Sequence, residues 1–258
     1  MPFTFSHPAI VLPIAYLNKK WYSLTALVVG SMIPDFEYFI RMRDMSKYSH
    51  TWTGLFWFDI PLALLVIFIF HNLVRNVLID HLPFSLNVRL SEFEEFNWNK
   101  YFQENKIVVL VSLIIGIASH LLWDDFTHEG GFFVEAIPIL KAQVNIFNHM
   151  VPVFLILQYG CSVLGGIVIL MVVLKLPEGK KTKHDHILNY WLLVTLITIF
   201  IVNARLFMIE INNSYIDVDD IIVMIISGGL IGITAMSLAL KENKKRNIYV
   251  HLNRINNK

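Results

Sequence analysis

The stretch SHLLWDDFTHEGG, residues 119–131, carries His120, Asp124, Asp125, His128 and Glu129 within ten residues, directly after the apolar run IVVLVSLIIGIA. On a helix of about 3.6 residues per turn, His120, Asp124 and His128 share one face, drifting about 40° per step. An imidazole nitrogen and a carboxylate oxygen one turn apart can ligate one cation without bending the backbone, an arrangement that suits zinc. Ionisable groups at the edge of lipid are costly to keep, so such a cluster is a functional candidate by default. The bland reading of the same spacing is a solvated helix end, closed by Gly130 and Gly131.

Further ligand types recur at the ends of other apolar runs. His7 sits in FSHPA, Asp35 in GSMIPDFEYF, His50 in KYSHTWTG and His149 in FNHMVP. If the apolar runs are membrane spans, Asp35, His50, His120, Asp124, His128 and His149 fall near one membrane surface, as a metal centre requires. His71, His81, His184 and His186 fall toward the other side and read as solvated or interfacial groups.

These residues need elements to position them, and composition sets the class of element. The chain has 258 residues, 55% hydrophobic and 16% charged, where soluble domains average about a quarter charged. A net charge of +1 gives no sign of a nucleic-acid partner, and the single Cys161 excludes an internal disulfide. The opening MPFTFSHPAIVLPIAY lacks the basic start of a cleaved signal peptide. A membrane span needs roughly 20 mostly apolar residues, and candidates fall at 22–40, 55–79, 107–123, 151–174, 188–209 and 220–240. The expected fold is an all-α polytopic membrane helix bundle of about six transmembrane helices. Residues 1–240 form a single membrane-embedded domain and 241–258 a basic, frayed cytoplasmic tail. The loop 80–106 is expected to form an interfacial amphipathic helix. Lys and Arg concentrate in 80–106, 175–187 and the tail, so the positive-inside rule puts these in the cytoplasm and the ligand cluster on the outer face of the cytoplasmic membrane.

MPFTFSHPA, GSMIPDFEYF, SHTWTGLFWFDIP and SHLLWDDFTHEGG together resemble an uncharacterised bacterial membrane family, domain-of-unknown-function family 4184. The PD, SH and SHxxxD elements are also similar to inner-membrane metal-dependent hydrolases of the YdjM type. More distantly, the ligand order is similar to that of the zinc-dependent phospholipase C fold. That resemblance implies His7, Asp35, His50, His120, Asp124, His128 and His149 as metal ligands. The chain departs from it where a Glu would follow the last His by one turn, since Val153 stands there. If 22–40 crosses the membrane, His7 also starts on the wrong side, unless residues 8–34 fold back as a re-entrant hairpin.

The chemistry expected from such a set is metal-assisted hydrolysis with one or two Zn2+, or Mn2+ where carboxylates dominate. Asp125 or Glu129 would act as general base, and the substrate would be a phosphoester or lipid-borne group at the bilayer surface. Arg41 and Arg43 read first as headgroup anchors and second as phosphate contacts. Two other classes fit the composition: an ion- or proton-coupled transporter, and a non-catalytic scaffold with a structural metal. Oligomeric state is not legible.

Overall fold

Short, broken helices open the chain: α1 (Pro8–Val11), α2 (Leu24–Gly30) and α3 (Phe36–Arg41). Then come α4 (Leu55–Asp80), α5 (Phe84–Leu90), α6 (Trp98–Glu104), α7 (Lys106–Thr127), α8 (Phe132–Ala136) and α9 (Pro138–Lys141). A β-hairpin, β1 (Gln143–Ile146) and β2 (His149–Pro152), precedes α10 (Val153–Leu174), α11 (Ile187–Ile211) and α12 (Val218–Asn256). The structure is a computed structural model. It describes residues 3–179, 186–211 and 215–256, with side chains through residue 242. His184 lies outside the described residues.

Among the described residues, five helices are long and apolar enough to cross a membrane, namely α4, α7, α10, α11 and the first part of α12. Their outward faces are apolar, as in Phe200 and Leu164. This is an integral membrane protein built as an all-α bundle. The expected span at 22–40 is not among the five. Its helical part, α2, has only seven residues, about 10 Å long, and the Ile33–Pro34–Asp35 turn follows. Pro34 lacks the N–H that would continue the α-helical ladder. The expected amphipathic helix over 80–106 is likewise three shorter pieces: α5, a 3-10 turn at Ser91–Glu95, and α6. The tail expected to fray continues α12 as helix to Asn256.

The chain divides into two compact units. The first gathers Met1–Glu37, Met45–Ile67 and Asn99–Lys175, and the second Tyr38–Asp44, Phe68–Trp98 and Leu176–Lys258.

In the first unit, residues 8–30 form a hairpin against α7. Tyr22 ties its two arms, donating from its hydroxyl to the Ala15 carbonyl at 2.9 Å. The returning arm runs beside α7 in register. Ser23 N–H donates to Ser112 Oγ at 2.8 Å, and the Ser31 carbonyl meets His120 Nδ1 at 2.8 Å. Gly30 and Gly116 permit this approach: a Cβ on Gly116 would stand 2.6 Å from the Leu27 carbonyl, and one on Gly30 2.8 Å from the Leu113 carbonyl. Near the hairpin turn, the Tyr101 hydroxyl donates to the Tyr22 carbonyl. The turn, with Lys19 and Lys20, therefore sits toward the start of α7, while both ends of the hairpin return to the His120 end. His7 and Asp35 thus share a side without a full crossing, which removes the difficulty that a span at 22–40 would create.

In the second unit, α11 packs along α12, with the Gly228 and Gly232 positions close against Thr198 and Val194. Arg75 of α4 is buried and donates to the carbonyls of Glu94 (2.7 Å) and Phe96 (2.8 Å) and to Asn76 Oδ1 (2.8 Å). His71 stacks on Trp98 at 5.0 Å, so it packs within this unit rather than standing in solvent.

Candidate metal centre

Four groups converge in the first unit: Asp35, His50, His120 and Asp124 present one ligand atom each, all within 4.8 Å of one another. His120 Nε2 lies 3.2 Å from Asp124 Oδ2 and 3.5 Å from Asp35 Oδ1. His50 Nε2 lies 3.5 Å from Asp124 Oδ2 and 3.4 Å from Asp35 Oδ1. Four ligand atoms bound tetrahedrally at about 2.1 Å from one ion would lie roughly 3.4 Å apart. The donor set and its spacing therefore fit a divalent cation such as zinc.

The tautomer of His120 strengthens this fit. Its Nδ1 faces the Ser31 carbonyl at 2.8 Å. A carbonyl only accepts, so Nδ1 carries the proton. In the neutral ring Nε2 is then a lone pair, fully buried between two carboxylates, and it has no hydrogen-bond partner among the described residues. A lone pair facing two anions is repulsive unless a proton or a cation stands between them. A backbone carbonyl behind a ligating histidine also fixes ring orientation and raises ligand basicity.

Each ligand is placed by its local chain. His120 and Asp124 stand one turn apart on α7. Asp35 closes the 3-10 turn after α2, at the hairpin end. His50 is set by Glu37, which is almost fully buried. Its carboxylate accepts the backbone N–H groups of Lys47 (3.0 Å), Tyr48 (2.8 Å) and Ser49 (2.8 Å). That clamp folds the 47–50 loop back so that the next side chain enters the cluster.

A second group flanks the first. Asp124 turns its other oxygen, Oδ1, toward His128 Nδ1 (3.3 Å) and His7 Nε2 (4.0 Å). His7 stacks on His120 with centroids 4.1 Å apart. His128 ends α7, already in extended backbone, and its Nε2 meets the Gln158 amide at 2.7 Å. Burial, then the nearby His120, pushes His7 down to about 4, so its ring is neutral and able to ligate near pH 7. Burial opposes the charge on Asp35, but the His120 and His50 rings outweigh it and hold the carboxyl well below the usual range. Burial opposes a cation at His50, but Asp124 and Asp35 outweigh it and raise the ring above its ordinary 6.5. Only the His50 shift reports the carboxylates it faces; the Asp35 shift reports the imidazoles around it, and the His7 shift reports burial and the neighbouring ring.

The remaining expected residues are not brought in. His149 is exposed on β2, paired with Ile146 across a turn in which Phe147 and Asn148 both have positive φ. A two-residue hairpin of this kind replaces the expected direct entry into the next span and leaves His149 on the ladder. Asp125 follows Asp124 by one residue, about 100° round the helix, and instead accepts the Phe132 N–H at 3.2 Å, at the start of α8. Glu129 is exposed beyond the helix end. Neither is among the four groups that converge.

Sequence reasoning gave Glu37, Ser31 and Gln158 no role at the site. Asp59 is fully buried in the π-helical turn Leu55–Asp59, and neither carboxyl oxygen has a hydrogen-bond partner among the described residues. The available signal for Glu37 and Asp59 was an acidic residue inside an apolar run. Ser31 and Gln158 act through a carbonyl and an amide and carried no signal.

A family model matches residues 1–238, described as "Domain of unknown function (DUF4184)". The chain belongs to the DUF4184 family. No curated protein and no solved structure matches it. The DUF4184 match covers the ligand-bearing segments, four of the five apolar helices whole and most of the fifth span.

Proposed function

We propose that the protein is a membrane-bound, metal-dependent hydrolase of a phosphoester carried at the bilayer surface. One observation carries this reading: two histidines and two aspartates converge, with His120 Nδ1 fixed on the Ser31 carbonyl so that its Nε2 points at both carboxylates. Asp35, His50, His120 and Asp124 would hold one Zn2+, with Mn2+ as the alternative. Asp124 Oδ1, His7 and His128 would hold a second ion. A divalent cation supplies Lewis acidity, polarising a phosphoryl oxygen and bringing the pKa of a water from about 15.7 toward 7.

The chain's own residues do the rest. Ser31 and Gln158 orient the His120 and His128 rings. Glu37 fixes the loop that carries His50. Asp59, a buried carboxyl with no donor among the described residues, would accept the proton of the attacking water. The similarity of the SHxxxD and PD elements to membrane hydrolases of the YdjM type, and of the ligand order to zinc-dependent phospholipase C, supports the same class. The Lys and Arg tally supports an outer-face site in the cytoplasmic membrane, with Lys19 and Lys20 at the far turn of the hairpin. Transport is less well supported, because the ligands gather at one end of α7 instead of lining a path along it.

The test is elemental analysis of the detergent-purified chain, paired with hydrolysis of bis(p-nitrophenyl) phosphate before and after chelation. We expect one to two zinc or manganese ions per chain and activity that returns on adding the metal back. Metal-free protein that neither binds Zn2+ in titration nor hydrolyses the ester would end this reading.

A further inference from the structure

Along α10, a groove of about 450 Å3 runs between Phe3 and the helix face formed by Tyr159, Val163, Gly166, Ile167 and Leu170. It belongs to the same unit as the metal centre. From Tyr159 to Leu170 the helix rises roughly 16 Å, close to half the ~30 Å hydrocarbon core, the depth of one leaflet. The groove starts one residue beyond Gln158, whose amide meets the His128 ring at 2.7 Å. Its other wall comes from the segment that carries His7, and that segment closes on α10 at Gly165, where a Cβ would stand 2.8 Å from the Ser6 carbonyl. The floor is Gly166, with nothing within 4 Å of its Cβ position. A lipid-facing helix needs only an apolar surface. This one adds a notch at Gly166, a second wall at Phe3, and a border next in sequence to Gln158 and near His7.

We propose that the groove takes one acyl chain of a bilayer phospholipid whose phosphate lies at the Asp35–His50–His120–Asp124 cluster. The substrate class is then a membrane phospholipid, and not a water-soluble phosphoester. The one-leaflet length favours an acyl chain over a long polyprenyl chain. The phosphate end of this inference rests on the hydrolase reading; the acyl end does not.

The experiment places the full chain in phosphatidylethanolamine–phosphatidylglycerol vesicles containing a trace of phosphatidylglycerol with a photoactivatable group in mid-acyl chain. Adducts are mapped by peptide mass spectrometry. They should be at least threefold more frequent on 159–170 than around Leu196 and Phe200, which are exposed on α11. Gly166→Leu extends into open space and replaces a helix-interior glycine, so it should fold and keep its metal while the groove adducts fall to the α11 level. Equal labelling of both helices, or labelling unchanged by Gly166→Leu, would identify ordinary boundary lipid and overturn the proposal. Hydrolysis of bis(p-nitrophenyl) phosphate by both proteins reads the metal centre separately. If neither hydrolyses it while groove adducts persist, the lipid site stands and the hydrolase reading falls. If hydrolysis persists without groove adducts, the lipid site alone falls.

Discussion

Arg75 in the second unit and His120 in the first are both buried polar side chains of membrane-crossing helices, and they are treated oppositely. The Arg75 guanidinium is satisfied by two backbone carbonyls and an amide oxygen. It fastens the 91–96 turn to α4 and also meets His71 Nδ1 at 3.0 Å. His120 has one nitrogen fixed by a carbonyl, while the other lies buried with no hydrogen-bond partner among the described residues. Glu37 and Asp35 repeat the contrast two residues apart. Glu37 spends its carboxylate on three backbone N–H groups, whereas Asp35 Oδ1 faces two imidazole nitrogens at 3.4 and 3.5 Å without saturating them. Leaving a buried polar atom unmatched costs roughly 1–3 kcal/mol, so a fold that collects several in one place is organised around something that binds there.

The sharpest way to break the comparison is to delete from each side. His120→Ala or Asp124→Ala should cut bound metal at least tenfold, measured by mass spectrometry on folded protein. Arg75→Met should leave metal content intact but lower stability by on the order of 2–4 kcal/mol, since two carbonyls lose their donor. Metal loss in Arg75→Met at temperatures where the protein stays folded would erase the distinction.

Next in size is Glu37→Gln. The amide keeps one acceptor oxygen and loses the charge, so the 47–50 loop loosens while all four ligands remain. Groups that orient metal ligands are worth about 10–100-fold in affinity, and Zn2+ titration should show a loss in that range with the stoichiometry unchanged.

Acidification should act in the same direction. Ligating histidines must be neutral, and metal uptake releases protons. His50 is raised above 6.5 by its carboxylate neighbours, so proton competition persists up to and beyond that pH. Apparent Zn2+ affinity should therefore still be climbing as pH rises from 6.5. His7, at about 4, adds nothing over that range. Calorimetry in buffers of different ionisation enthalpy would count the protons, and a flat affinity across pH 6–8 would contradict the placement of His50.

The smallest effects belong to residues that resemble ligands only in sequence. His149→Ala and Asp125→Asn should each leave metal content within error of the parent protein. A drop in either would mean that the hairpin or the end of α7 is arranged differently from what is described above.

Residue type and spacing alone determined a good deal. The apolar runs forced a membrane helix bundle, because a polar backbone in lipid must satisfy itself within helices. The i, i+4 spacing paired His120 with Asp124 whatever the rest of the chain did. The acidic and histidine residues at run ends nominated Asp35 and His50. Tertiary structure decided what local pattern could not. Hydropathy counts 22–40 as a span, but the close approach of Gly30 and Gly116 and the turn at Pro34 make it the returning arm of a hairpin. That arm carries Asp35 back to the side where His7 stands. His149 matched the ligand order, yet a two-residue turn at Phe147–Asn148 spends its segment on a β-ladder. Glu37 looked like any acidic residue near a span end, and only three distant N–H groups made it the clamp for His50. Hydrophobic periodicity reports which face is apolar; it does not report where a chain reverses, and here the reversals assemble the site.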